Sequence, residues 1–344
     1  MSPQLPQHVK ENHIMCVGAV YIDTILTVPH FPQEDSKLRA KRITRRRGGN
    51  TANTLEVLAQ LVEHDPAPSS GHKWTSEEPG TRLHLQSVLP RSLSNATRFI
   101  MDSLPGINFE QSLFRQDHEE AASSYIIQSQ ATLSRTIVSI NELPEMTADD
   151  FISRIGTTAE DDVVQPPQKR WVHFEGRIPD VTLECVQYLR REHAAFKVSV
   201  ECEKPEREGM VEVAKLADVV FYSKPWAEEN GFQDAKTFLG VQLGNTRNGA
   251  LQCCTWGAGG ATLVQNDGKG GQEWATVGAW KPSGVDKVDV FDTTGAGDTF
   301  IAGMLFAINN HEEWTLKRKL EFANELAGRK VLQEGFANLG HKIW

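Results

Sequence analysis

Short apolar runs at residues 14–20, 83–89, 171–174, 196–200, 219–222 and 251–255 recur along the chain. Between many of them lie stretches with helical spacing, such as Leu55, Leu58 and Leu61, or Val181, Leu183, Val186 and Leu189. No other feature constrains the fold as much, because strands that alternate with helices pack as βα units around a mainly parallel sheet. The fold class expected is an α/β sandwich. Two regions break the alternation, residues 25–47 and 123–140. In the second, residues 125–127 and 136–140 flank a polar stretch as a hairpin would, so a separate small sheet is predicted. Residues 62–81, rich in Pro, Ser, Gly and charge without a period, read as a long surface loop. A length of 344 residues fits one large domain with an accessory part, or two modest domains.

The formal charge of −9 argues against a general nucleic-acid or anionic-membrane binder, both of which call for a large basic face. The basic run at residues 41–47 reads as a solvated strand edge for most of its side chains; attraction of an anionic ligand to the adjacent Gly48 and Gly49 is the sharper alternative. Five cysteines, Cys16, Cys185, Cys202, Cys253 and Cys254, make an odd count without metal-ligand spacing and read as small hydrophobes in a reduced compartment. The polar first 13 residues lack a secretory pattern, and no apolar segment is long enough to span a bilayer, so the cytoplasm is the expected location. His173 sits inside a candidate strand and reads as structural, and the tryptophans read as packing residues, with Trp256 the exception.

The chemistry is concentrated near the C-terminal end. Residues 288–290 lead, as a candidate strand, into Asp292-Thr293-Thr294-Gly295-Ala296-Gly297-Asp298, after which residues 299–308 have the composition of a buried helix. A glycine turn opening a helix exposes unpaired N–H groups beside a partial positive charge, where phosphate or the charge of phosphoryl transfer can rest. Gly295 and Gly297 let the anion approach the backbone. Asp298 is placed to accept a proton from an attacking hydroxyl, although the helix dipole favours its ionised, weakly basic form. The blander reading is that Asp298 only favours a first helical turn. No Gly-x-x-x-x-Gly-Lys-Ser/Thr run exists, and Phe300 stands where a dinucleotide fingerprint wants its third glycine. A second turn, with Gly257, Gly259 and Gly260 beside Trp256, is read either as a nucleotide neighbour or as a simple hairpin.

Near the N-terminus, Gly48, Gly49, Asn50 and Asn53 precede a helical pattern, and Asp23 follows the first candidate strand. A carboxylate, amides and glycines are the mixture a polyol needs, since they exchange hydrogen bonds with adjacent hydroxyls and leave room for a sugar. Taken singly, Asn50 or Asn53 capping a helix and Asp23 ending a strand are equally good readings.

Together these residues strongly resemble the ribokinase-like, or PfkB, carbohydrate kinases, with Gly49-Asn50 and residues 292–300 matching the family's two signatures. Within that family the similarity is greater to the ketohexokinases (fructokinases): residues 16–23, 32–36, 47–53, 171–177, 198–205, 218–224 and 327–336 match in order over most of the chain. The resemblance implies a three-layer sandwich with a small β-sheet lid from residues 25–47 and 123–140, and a homodimer paired through the lids. It implies transfer of the γ-phosphoryl group of ATP to the 1-hydroxyl of a ketohexose such as D-fructose. Asp298 would be the base and Gly295, Ala296 and Gly297 the anion hole. Asp23, Gly49, Asn50 and Asn53 fall on sugar-binding positions, Arg135 on a phosphate-contacting arginine, and Trp256, Gly257 and Gly260 near the nucleotide. Mg²⁺ would accompany ATP, and such enzymes commonly respond to K⁺. The chain departs from the pattern at residues 133–136, in a longer loop at 128–132, and at Trp226, where many members place a metal-motif glutamate, so no metal-ligating side chain is assigned. A kinase for another sugar or a nucleoside, and a silent sugar or nucleotide sensor on the same fold, remain the alternatives.

Overall fold

The computed structural model describes residues 12–66, 80–132, 134–161, 169–285 and 289–344. In chain order its strands are β1 (Asn12–Val17), β2 (Tyr21–Val28), β3 (Arg42–Gly48), β4 (Thr81–Gln86), β5 (Val88–Pro90), β6 (Leu113–Arg115), β7 (Ser123–Ser129), β8 (Arg135–Ile140), β9 (Lys169–Phe174), β10 (Lys197–Cys202), β11 (Val219–Tyr222), β12 (Leu251–Thr255), β13 (Ala261–Asn266) and β14 (Gln272–Val277). The helices are α1 (Asn50–His64), α2 (Asn95–Asp102), α3 (Ala148–Asp161), α4 (Pro179–Glu192), α5 (Met210–Ala214), α6 (Lys224–Glu229), α7 (Ala235–Gln242), α8 (Ala296–Asn310), α9 (Leu316–Lys330) and α10 (Leu339–Ile343).

Eight strands form the large sheet in the order β14-β13-β12-β11-β10-β9-β1-β4. From β12 to β4 all neighbours are parallel, while β13 and β14 add an antiparallel edge. Alternation along β1 shows why both faces must be covered: Ile14 and Cys16 enter one core and Met15 and Val17 the other. Residues of α1, α8 and α9 fill the first core and those of α3, α4 and α7 the second, giving the three layers of an α/β sandwich. The candidate strands at 219–222 and 251–255 coincide with β11 and β12. No helix among the described residues is long and apolar enough to cross a membrane.

The two irregular regions do form a separate sheet, ordered β3-β2-β7-β8. Strands β2 and β7 run parallel at its centre, and β8 is an edge strand with every residue exposed. Two expectations change. Val62 and His64 belong to α1 and Thr81 to β4, so the reading of 62–81 as a loop fails at its ends, and residues 67–79 lie outside the described residues. The approach to the glycine turn is no strand: Val290 and Phe291 are 56% and 68% exposed, and Val288 lies outside the described residues. Position 291 has no sheet neighbour to pair with. The N–H groups of Phe291 and Asp292 instead both reach Val331 O, at 2.8 and 3.2 Å.

Candidate active site

Helix α8 is apolar on nearly all sides and buried between α1, α9 and the sheet, so its first turn is held rigidly at the rim of the sandwich. Gly295 caps it with φ +76°, a left-handed conformation in which a Cβ would also lie 2.3 Å from Phe336 Cζ. Ala296 N–H closes onto Thr293 O at 3.2 Å, and Thr299 N–H onto Gly295 O at 2.9 Å. The N–H groups between them, of Gly297 and Asp298, find no acceptor among the described residues. Such amides suit an anion.

Asp23, Gly49, Asn50, Asn53, Gly295, Gly297 and Asp298 line one cavity of about 410 Å³, so the two sequence motifs meet in space. Asn53 Nδ2 donates to Asp298 Oδ2 at 2.7 Å across 245 residues of sequence. Neither asparagine is a helix cap: Gly49, at φ +104°, occupies the cap of α1, and Asn50 Nδ2 donates to Glu203 Oε2 at 3.0 Å. Nor does Asp23 end a strand, since it lies inside β2, 3.7 Å from Arg46 Nε. Ala296 is the first residue of α8 and does not line the cavity.

Electrostatics make Asp298 a stronger base than the helix dipole alone would. The side chain is 7% exposed, and burial, followed by repulsion from Glu201, Glu203 and Glu175, pushes its carboxyl well above the usual range despite the bond from Asn53. Burial likewise raises Asp23, against the opposing pull of Arg46 and Ser124. Beyond Asp298, burial and Glu175 push Glu201 up, while Glu175 accepts from Ala19 N at 2.9 Å. His173 is fully buried as a structural residue: burial lowers it to about 3, with Nδ1 2.9 Å from Ser199 Oγ and Nε2 3.0 Å from Glu201 Oε1.

Arg135, from the exposed strand β8, reaches across to the glycine turn, where it donates to Thr294 Oγ1 and lies 3.7 Å from Asp292 Oδ1. Asp292 is held from behind by the fully buried Lys330, whose Nζ is 3.1 Å from Asp292 Oδ2. Burial opposes ionisation there, but Thr294 and Lys330 together keep the Asp292 carboxyl low. Trp256, Gly257 and Gly260 stand apart from the cavity wall, one residue beyond the lining Thr255, in the turn joining antiparallel β12 and β13. Trp256 N–H bonds Gly260 O at 2.7 Å, and Lys224 Nζ lies 5.6 Å from the Trp256 ring centroid. Trp226 is buried in the core, so no carboxylate stands at that position.

The sequence reading named Asp292 only as the start of the glycine-turn motif and gave no role to Arg47, Glu56, Glu175, Glu201, Glu203 or Lys330. A signal existed for three of them, because Glu175, Glu201 and Glu203 sit at the carboxyl ends of parallel strands, where ligands of open α/β sheets bind. Arg47 was hidden in a run of basic residues. Alone among its arginines it is buried, 6% exposed.

Residues 11–342 match the model of the pfkB family carbohydrate kinases. The chain is 28% identical to ketohexokinase of Mus musculus over 338 residues, covering 95% of this chain and 99% of that one. Solved structures of similar fold include a ribokinase of Arabidopsis thaliana complexed with ribose and ATP, at a TM-score of 0.70, 16% identity and 97% and 98% coverage of the two chains. Another is a ribokinase of Cryptococcus neoformans in complex with ADP, at a TM-score of 0.68, 16% identity and 97% and 99% coverage. The sandwich with its small sheet, the buried aspartate at a glycine-capped helix and the family match along nearly the whole chain lead to one assignment: this protein belongs to the pfkB family of carbohydrate kinases, as an ATP-using phosphotransferase with a ribokinase-like fold.

Proposed function

We propose that this sugar kinase phosphorylates a ketohexose, D-fructose foremost, at its 1-hydroxyl, with Asp298 as the general base. The observation that carries the base is Asp298 itself, buried at the start of α8 in the cavity that also holds Asp23, Gly49 and Asn50. Its Oδ2 already accepts from Asn53, which leaves Oδ1 to take the proton of the sugar hydroxyl. The alkoxide oxygen attacks the γ-phosphorus, the bond to the bridging oxygen breaks, and ADP leaves. Charge on the transferring group is met by the Gly297 and Asp298 amides and by Arg135, which would exchange Thr294 for phosphate oxygens. Similarity to ketohexokinase over 95% of the chain is the support for a ketose acceptor.

Asp23, Asn50 and Asn53 are the sugar-binding groups in this reading. Asn53 has one N–H left for the sugar, because its carbonyl and other N–H are engaged by Arg47 and Asp298. Trp256, Gly257 and Gly260 flank the nucleotide. Among the described residues no cluster of three or more His, Cys, Asp or Glu side chains is arranged to hold a metal. Mg²⁺ would therefore arrive on ATP, a hard cation satisfied by phosphate oxygens, water and a cavity carboxylate such as Glu203 or Asp292. Its chemistry there is to neutralise phosphate charge. The small sheet serves as a lid that excludes water and pairs two copies, and the five buried, free cysteines fit work in a reducing cytoplasm.

A coupled ADP-release assay with ATP, Mg²⁺ and K⁺ tests the proposal by comparing D-fructose, ribose, adenosine and no acceptor. The expected result is fructose-dependent turnover that Asp298→Asn lowers by at least about 10²-fold. Turnover with ribose or adenosine alone would move the acceptor, and full activity in Asp298→Asn would remove the base.

A further inference from the structure

Arg47 ends a basic run whose other arginines face outward or line the cavity rim, yet its own guanidinium is buried beneath the base. Nη1 donates to Asn53 Oδ1 at 2.8 Å and Nη2 pairs with Glu56. Because a guanidinium has only donors, it fixes the Asn53 amide one way round: the carbonyl must face Arg47, so the NH₂ group must face Asp298. A flipped amide would set donor against donor on one side and oxygen against carboxylate on the other.

The same chain of contacts carries charge. Asp298 is crowded by Glu201 and Glu203 from the end of β10 and by Glu175 from the end of β9, with Asp23 and its partner Arg46 on the small sheet and Asp292 on the glycine turn. Arg47 is the cation that faces it from the α1 side, and Glu56 on α1 offsets part of that charge. We propose that Arg47 is a positioning residue for phosphoryl transfer: it orients the base through Asn53 and counters the surrounding carboxylates, with Glu56 setting how much of its charge reaches Asp298. The proposal rests on the reading of Asp298 as the base.

Two substitutions with opposite signs test it. Removing the cation in Arg47→Met raises the pH at which Asp298 ionises, while removing the anion in Glu56→Gln lowers it. The free protein is titrated by infrared difference spectroscopy, following the carboxylic C=O stretch that disappears in Asp298→Asn, so no acceptor is needed. Arg47→Met should move the midpoint up by about one pH unit and Glu56→Gln should move it down, with Arg47→Lys in between wild type and Arg47→Met. In the ADP-release assay with D-fructose, the acid limb of kcat/KM should move the same two ways. The KM for ATP should stay within about twofold, since Arg47 acts on the base and not on the nucleotide. Midpoints that stay put, or that move in the same direction in Arg47→Met and Glu56→Gln, overturn the proposal. Should Arg47→Met fail to fold, Glu56→Gln and Arg47→Lys decide it alone. Retained turnover in Asp298→Asn would instead overturn the base reading and leave the titration to judge Arg47 separately.

Discussion

At the scale of single residues, the site depends on two backbone conformations that side chains rarely adopt, at Gly49 and Gly295. An added methyl group at Gly295 would meet the left-handed strain and the Phe336 ring together. Gly295→Ala should lose about 1–3 kcal/mol of stability and most of its turnover. Adding Phe336→Leu should restore part of the melting temperature but not the rate, because the φ of +76° persists; unchanged melting and turnover in Gly295→Ala would show that the cap is not needed. Gly295 and Asp298 are legible in the sequence because one contiguous segment carries both. The pairing of Asp298 with Asn53 is not, since it is made by packing of α1 against α8, and Arg47 gives no sign of burial among exposed neighbours of the same type.

At the scale of elements, β11 is legible because a strand buried on both faces reads as an unbroken apolar run, and β12 departs from that at the buried Gln252. The candidate strand before the glycine turn fails, because Val290 and Phe291 face solvent and lack a neighbouring strand. A different junction ties α8 to α1 and α9 at the end remote from the glycine turn. His311, which caps the C-terminus of α8, lies 3.2 Å from Asp65 beyond α1 and 2.9 Å from Glu313 before α9, and stacks on Trp314 at 4.0 Å. Burial opposes its charge, but Asp65 and Glu313 outweigh that and raise the imidazole above its ordinary value of 6.5. A folded pKa above the unfolded one means the stabilisation is complete below about 6.5 and fades as the pH climbs through the raised value. The melting-temperature gap between wild type and His311→Gln should therefore be wide at pH 6 and narrow towards pH 9. A gap that widens with pH would refute the assignment of charge.

At the scale of the whole molecule, the small sheet presents Tyr125, Val138, Ile140 and Ile43 at 50% exposure or more, with Tyr125 directly opposite Val138 in the β7–β8 ladder. An exposed edge strand with apolar side chains is an invitation to pairing, and the second copy supplies it in the function proposed above. Val138→Asp should convert a dimer to a monomer in light scattering; a wild-type chain already monomeric at high concentration would rule the pairing out. The small sheet was legible as two breaks in the βα alternation, but its order β3-β2-β7-β8 was not, because the parallel pairing of β2 with β7 joins segments about a hundred residues apart.

The hydrogen bond from Asn53 to Asp298 spans 245 positions, most of the polypeptide. A ribosome reads that interval at a pace of roughly 5–20 residues per second. In the function proposed above, the emerging chain then carries Asp23, Asn50 and Asn53 for many seconds of synthesis without the aspartate that would take the proton of the hydroxyl. On that proposal, nascent copies would be unable to spend ATP until α8 has been made and has packed against α1.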